Sequence, residues 1–216
     1  MMRLILLKYG DKNDLSKLRV CVLCLLGFSR FLCYNELSII KTKNIVVHDS
    51  HVELTLVQRK TGIYWRGIIV VIAKTGNDLC PVTWLKKYMY VQLADLNSNP
   101  EFFIWRSLCF YSRQKCINWI QIIVHCPKRE QESLLKALDD IGFDKSRFSL
   151  HSLRGGGAST ATNQGVSEKL PTAHGRWSSD RAILKIIYNH KYRSLWILAY
   201  CFIVICLIEV TASNKA

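Results

Sequence analysis

Acidic side chains are scarce in this chain of 216 residues: 16 Asp and Glu stand against 30 Lys and Arg, a formal charge of +14 at pH 7. The imbalance is spread evenly, with 14 basic and 7 acidic residues in 1–100 and 16 and 9 in 101–216. That excludes a confined basic tail and suits a polyanionic partner, nucleic acid ahead of an anionic membrane surface. A secretory leader is also lacking, because the apolar run Leu4–Leu7 is too short for a signal core. No internal repeat or low-complexity segment is present, which excludes a solenoid. Cys21-x-x-Cys24 has no second pair at zinc spacing and lies in an apolar stretch. It reads as buried thiols in a reducing interior, cytosol or nucleus, and no metal or cofactor site is expected.

What is present is an apolar half, 50% of the residues, enough for a sizeable core. From Asp14 to Ile40 apolar residues recur as in a largely buried helix, with Asp14 as N-cap. Two β-rich runs in Asn44–Val57 flank a polar turn, and Gly67–Ile72 supplies a third, predicting a three-stranded antiparallel sheet. Pro81 opens a helix to about Leu96, Phe102–Trp105 suits a short strand, and Glu130–Ile141 is amphipathic with Gly142 beyond its end. A helix over Ser152–Gln164, a short segment capped by Ser167 that contains Pro171, and a last helix capped by Ser179 or Asp180 complete the pattern. The fold class expected is α+β, mainly helical.

The chemistry-bearing residues cluster late. His151-Ser-Leu-Arg154-Gly-Gly-Gly is followed by His174-Gly-Arg-Trp177 and then Tyr188. His151 and Arg154 are one helical turn apart and share a face. Arginine offers planar bidentate donors to non-bridging phosphate oxygens, and a tyrosine hydroxyl can act as a covalent nucleophile. Together they suit attack on a phosphodiester.

In this order of motifs the chain resembles the tyrosine recombinase (phage integrase) family, in particular a eukaryotic mobile-element-like branch with HSLRAGGA, HGRW and Tyr. The resemblance covers roughly residues 14–190, and implies a catalytic domain over 1–193 with an apolar tail over 194–216. It implies that Arg154 binds the scissile phosphate while His151 manages the tyrosine proton or bonds the phosphate. Trp177 would donate its indole N–H while its ring packs the site, and Tyr188 would form a 3′-phosphotyrosyl bond with no metal or cofactor. Lys60, in Gln58-Arg-Lys60-Thr-Gly62, would protonate the leaving 5′-oxygen, with Lys74 the competing lysine. His174 suits a structural role, and Arg176 is expected to be exposed, with contact to a backbone phosphate its other use. Family members usually carry an N-terminal DNA-arm domain that this sequence does not contain, so the expectation is a grip on duplex DNA from one side, with self-association on DNA and a nuclear setting.

Two positions depart from the family pattern. Leu26-Gly-Phe-Ser-Arg30-Phe-Leu-Cys33-Tyr-Asn-Glu36-Leu resembles the block carrying the first catalytic arginine, but Cys33 occupies that place. Arg30, one turn earlier, reaches the phosphate only if the helix end shifts. Tyr188 falls eleven residues after Trp177, whereas the usual positions, eight or nine after, hold Lys185 and Ile186. Two extra helical residues rotate a side chain by roughly 200°. The alternative reading is therefore an inactive DNA-binding relic. The run Leu195–Ile208 is uncharged over fourteen residues, short of the roughly 20 that span a bilayer. It suits a buried or docking helix, a membrane-associated tail, or a frame-altered end.

Overall fold

The computed structural model describes all residues except 12–13, 39, 57–67, 95–126, 168 and 178–216. Its organising element is α2, Leu15–Ser29, apolar around its circumference and buried from Val20 onward. Such a helix has no solvent face and must be covered on all sides. The covering elements are α1 (Met2–Tyr9), α4 (Pro81–Ala94), α5 (Pro127–Asp140) and α6 (Leu150–Asn163). Asp14 caps α2 as expected, accepting from the Ser16 and Lys17 amides at 3.0 and 3.3 Å. The Arg19–Glu130 ion pair at 3.5 Å ties α2 to α5. Helix α1, which the sequence reading did not assign, buries Met2, Ile5, Leu6 and Tyr9, and Tyr9 bonds to Asp140 at the end of α5.

One expected helix over Asp14–Ile40 is instead two. α2 stops at Ser29, and α3 occupies Tyr34–Ser38. Between them Phe31 takes a left-handed φ of 50° with its side chain fully buried. Left-handed backbone costs an L-residue about 1–2 kcal/mol. Burying a phenylalanine returns about 1.5–3 kcal/mol, so tertiary packing outweighs the helical pattern here.

The sheet is as expected: β1 (Ile45–Val47), β2 (His51–Leu56) and β3 (Ile68–Ala73) pair antiparallel in the order β1-β2-β3. Val52, Leu54 and Leu56 face inward while His51, Glu53 and Thr55 face out, the period-two alternation of a one-sided sheet. Helix α5 closes at Gly142, φ 81°, with the Phe143 amide donating to the Leu138 carbonyl at 2.9 Å. α6 starts two residues before the expected Ser152, and its Ser149 amide donates to Ser152 Oγ at 2.9 Å. α7, Lys169–His174, carries Pro171 in its first turn, where a missing N–H is harmless. No helix among the described residues is long and apolar enough to cross a membrane. The expected strand at Phe102–Trp105, the last helix and the 195–208 run lie outside the described residues.

Candidate active site

The α2–α3 break, the middle of α6 and the turn after α7 converge on one cleft. α6 can approach because Gly157 faces the break: a Cβ there would lie 2.2 Å from the Phe28 carbonyl oxygen and 2.7 Å from the Phe31 ring. That accounts for one glycine of the Gly155–Gly157 run by close backbone contact. Phe31 in turn supports the post-α7 segment, edge-on to His174 at 4.6 Å and tilted against Trp177 at 5.9 Å between ring centroids.

Arg154 stands at the centre. Its Nη1 donates to Glu36 Oε2 at 3.2 Å and its Nη2 to the Gly175 carbonyl at 2.6 Å. The Trp177 ring covers the guanidinium face, 4.5 Å from Cζ to the centroid. This is a cation–π stack, so the observed use of Trp177 is its ring face. Gly175 permits it, since a Cβ there would fall 1.9 Å from the Trp177 ring. His151, one turn earlier on α6, is solvent-exposed.

Glu36 organises the cleft. Its carboxylate accepts from Arg154, from the Cys33 amide at 2.8 Å, and from Arg176, whose Nη2 lies 3.1 and 3.2 Å from its two oxygens. Burial opposes its charge, but Arg176, the Cys33 N–H and Arg154 outweigh it and hold the carboxyl below the usual carboxylate range. Arg176 is not exposed as expected: its side chain is 9% accessible, and its Nη1 also donates to the His174 carbonyl at 3.0 Å. Its φ of 56° turns it back over the cleft, a backbone state that the sequence does not announce.

Cys33, where the sequence resemblance led us to expect an arginine, is partly buried beside Glu36 and Arg154. Burial, followed by the Glu36 charge, pushes its thiol upward, so it brings no cation to the cleft. Arg30 does not compensate. It caps α2 and turns inward, with Nη1 2.8 Å from His174 Nδ1. The other ring nitrogen of His174 lies 2.9 Å from the Ser29 carbonyl, which assigns the proton to Nε2 and leaves Nδ1 to accept from Arg30. Burial, then the Arg30 charge, lowers His174 to about 3, so it is a neutral brace. Lys74, the competing lysine, is exposed just past β3, its amide donating to the Ser50 carbonyl at 2.8 Å. Lys60 and Tyr188 lie outside the described residues.

No protein-family model matches the sequence, and no curated protein matches it. Solved structures do match in fold. A XerH site-specific recombinase bound to its difH substrate in a pre-cleavage complex aligns over 90% of this chain with a TM-score of 0.61 and 11% identity. An FLP recombinase in a Holliday-junction complex aligns over 88% with a TM-score of 0.55 and 15% identity. The chain spans about half the length of these structures, 51% and 46%. The mainly helical fold with its three-stranded antiparallel sheet is thus that of a tyrosine recombinase catalytic domain, as the sequence led us to expect.

Proposed function

We propose that this chain is a DNA-binding domain of the tyrosine recombinase kind, in which Arg154 grips a phosphate of duplex DNA and Tyr188 attacks it. Arg154 carries the reading. It is fixed by a carboxylate, a carbonyl, the Cys33 side chain and an indole face, and its five N–H donors outnumber these bonds. A rigid guanidinium with donors to spare suits a phosphate in a shaped cleft, where preorganised charge is most effective. The +14 charge and the fold shared with recombinases caught on substrate support the same partner.

In the proposed reaction the Tyr188 oxygen bonds to phosphorus, the bond to the 5′-oxygen breaks, and a 3′-phosphotyrosyl link remains. Lys60 supplies the proton to the departing 5′-oxygen, and His151 takes the tyrosine proton or bonds the phosphate. The phosphotyrosyl bond conserves the energy needed for rejoining. Self-association on DNA, a nuclear setting and descent from a mobile element belong to this proposal. Membrane contact by residues 195–208 is a separate, less favoured reading, tested by solubility with and without them.

A second reading, DNA binding without turnover, is favoured by Cys33 and by the inward commitment of Arg30. Covalent trapping on nicked duplexes from a randomised pool, read as an adduct on a denaturing gel, separates the two. An adduct lost in Tyr188→Phe supports cleavage. Duplex binding without an adduct supports the binding module, and failure to bind duplex at low salt removes both.

A further inference from the structure

The outer face of the sheet carries a cluster that the cleft does not use. Directly opposed residues of an antiparallel pair, and residues two apart on one strand, project to the same face. His48 and His51 flank the Asp49-Ser50 turn, where the His48 amide donates to the His51 carbonyl at 2.9 Å. Glu53 follows His51 by two, so all three side chains leave the face opposite the buried Val52 and Leu54. Their ligand atoms converge within 4.8 Å of one another. Nε2 of His48 and Nε2 of His51 lie 3.7 and 3.5 Å from the same oxygen, Glu53 Oε1. The imidazoles are stacked, with centroids 4.2 Å apart and 16° between planes.

We propose that His48, His51 and Glu53 form a binding site for a divalent transition-metal ion, zinc by preference, that clips the β1–β2 hairpin. Two imidazoles and a carboxylate make a borderline donor set suited to such an ion and poorly suited to calcium or magnesium. Both Nε2 atoms stand at ion-pair rather than close hydrogen-bond distance from Oε1, a spacing that protonated imidazoles would use toward the carboxylate and that neutral imidazoles would use around a shared cation. Tetrahedral zinc with bonds of about 2.0–2.1 Å holds its ligand atoms about 3.3–3.4 Å apart, close to the two Nε2–Oε1 separations, and the stacked imidazoles turn about their Cβ–Cγ bonds to aim both Nε2 lone pairs at the ion. Ser50 Oγ lies 2.9 Å from His51 Nδ1, where it can accept the Nδ1 proton and leave Nε2 free for the metal, the usual outer support of a ligating histidine. Half-exposed ligands give an ion its entry path, and a fourth position falls to water. β2 runs from this clip to Leu56, immediately before the segment that carries Lys60, so the ion would fix the base of that hairpin arm.

Isothermal titration of the full chain with Zn2+ under reducing conditions, after chelation and desalting, tests the site independently of any DNA chemistry. Expected is one tight site per chain, weakened by more than about ten-fold in each of His48→Gln, His51→Gln and Glu53→Gln, since even an outer-shell partner is worth that much. Circular dichroism establishes that each variant is folded, and the near-isosteric Glu53→Gln gives the reading least open to misfolding. Absence of a tight site overturns the proposal. So does tight zinc left unchanged by all three substitutions, which would assign the ion to the thiols.

Discussion

Arg176 and Glu36, 140 positions apart in the chain, form a forked ion pair, with Arg176 Nη2 3.1 and 3.2 Å from the two carboxylate oxygens and Nε 3.3 Å from Oε1. The pair joins the α2–α3 break to the turn after α7, and the same carboxylate holds Arg154. Two guanidiniums thus converge on one negative charge. Removing that charge leaves two poorly hydrated cations facing each other, and breaking such a pair from one side is far costlier than never having built it. Glu36→Gln is expected to destabilise the fold by about 3 kcal/mol, the lower end for a buried pair because these side chains keep some solvent contact. The same substitution removes a competitor for Arg154, so duplex affinity of the folded protein should rise. Urea unfolding checks the first outcome and fluorescence anisotropy the second. A change within about 0.5 kcal/mol, as for an ordinary surface site, would show that Glu36 does not organise the cleft.

The His174 brace predicts an unusual acid sensitivity. Its folded value of about 3 lies below the ordinary 6.5, so the unfolded chain takes up this proton first. Stability is then complete above pH 6.5 and declines as pH falls toward 3, by about 1.4 kcal/mol per unit and on the order of 5 kcal/mol in all. Glu36, also lowered, adds a loss only at the acid end, as pH falls through its depressed value. His174→Gln can accept from Arg30 and donate to Ser29 without titrating. It should flatten the upper part of the profile, from pH 6.5 to about 5, where carboxylates scarcely contribute. Denaturant midpoints at stepped pH decide this, and an unchanged slope in the variant would refute the assignment.

Local patterns were legible in the sequence wherever one element answered to one rule. The Asp14 cap, the alternation of β2 and Gly142 at the end of α5 follow from nearest neighbours in the chain. The helix break at Arg30–Cys33 does not, because it is driven by burial of Phe31 against His174 and Trp177, more than 140 residues later. Arg176 was expected at the surface for the same reason: its left-handed backbone and its partner Glu36 are products of tertiary packing. His151, Arg154 and Trp177 were singled out through a motif that also had the Trp177 ring packing the site, but only three-dimensional geometry shows that the ring lies over the Arg154 guanidinium. The cluster on the hairpin escaped notice because His48 and His51 become neighbours only across the Asp49-Ser50 turn.

Gly157 and Gly175 should be intolerant for different reasons. Alanine at 157 pushes α6 off the Phe28 carbonyl and Phe31, both backbone-bound or buried, so the helices must separate. Overpacking of that kind costs about 1–3 kcal/mol, and a lowered thermal midpoint with weaker duplex binding is expected. Alanine at 175 meets first the partly buried Trp177 ring, a side chain rather than backbone, which must shift off Arg154 to make room. Its thermal midpoint should move little, while tryptophan fluorescence reports loss of the Arg154 stack. Equal destabilisation by the two would contradict the separation of structural and cleft roles.

Cys33→Arg tests what the first-arginine position withholds. The residue lies beside Glu36 and Arg154, and its amide already anchors the carboxylate, so the backbone is set for a side chain reaching into the cleft. An arginine there faces one carboxylate already shared by two guanidiniums, which leaves its own donors available for phosphate. If Tyr188 is the nucleophile, adding one preorganised donor should accelerate adduct formation about a hundred- to a thousand-fold. Non-specific duplex binding should strengthen as well, with the salt slope steepening by about one. The adduct must vanish in Cys33→Arg combined with Tyr188→Phe. Tighter binding with no adduct from Cys33→Arg would mean that the phosphate site survives and the tyrosine does not serve it.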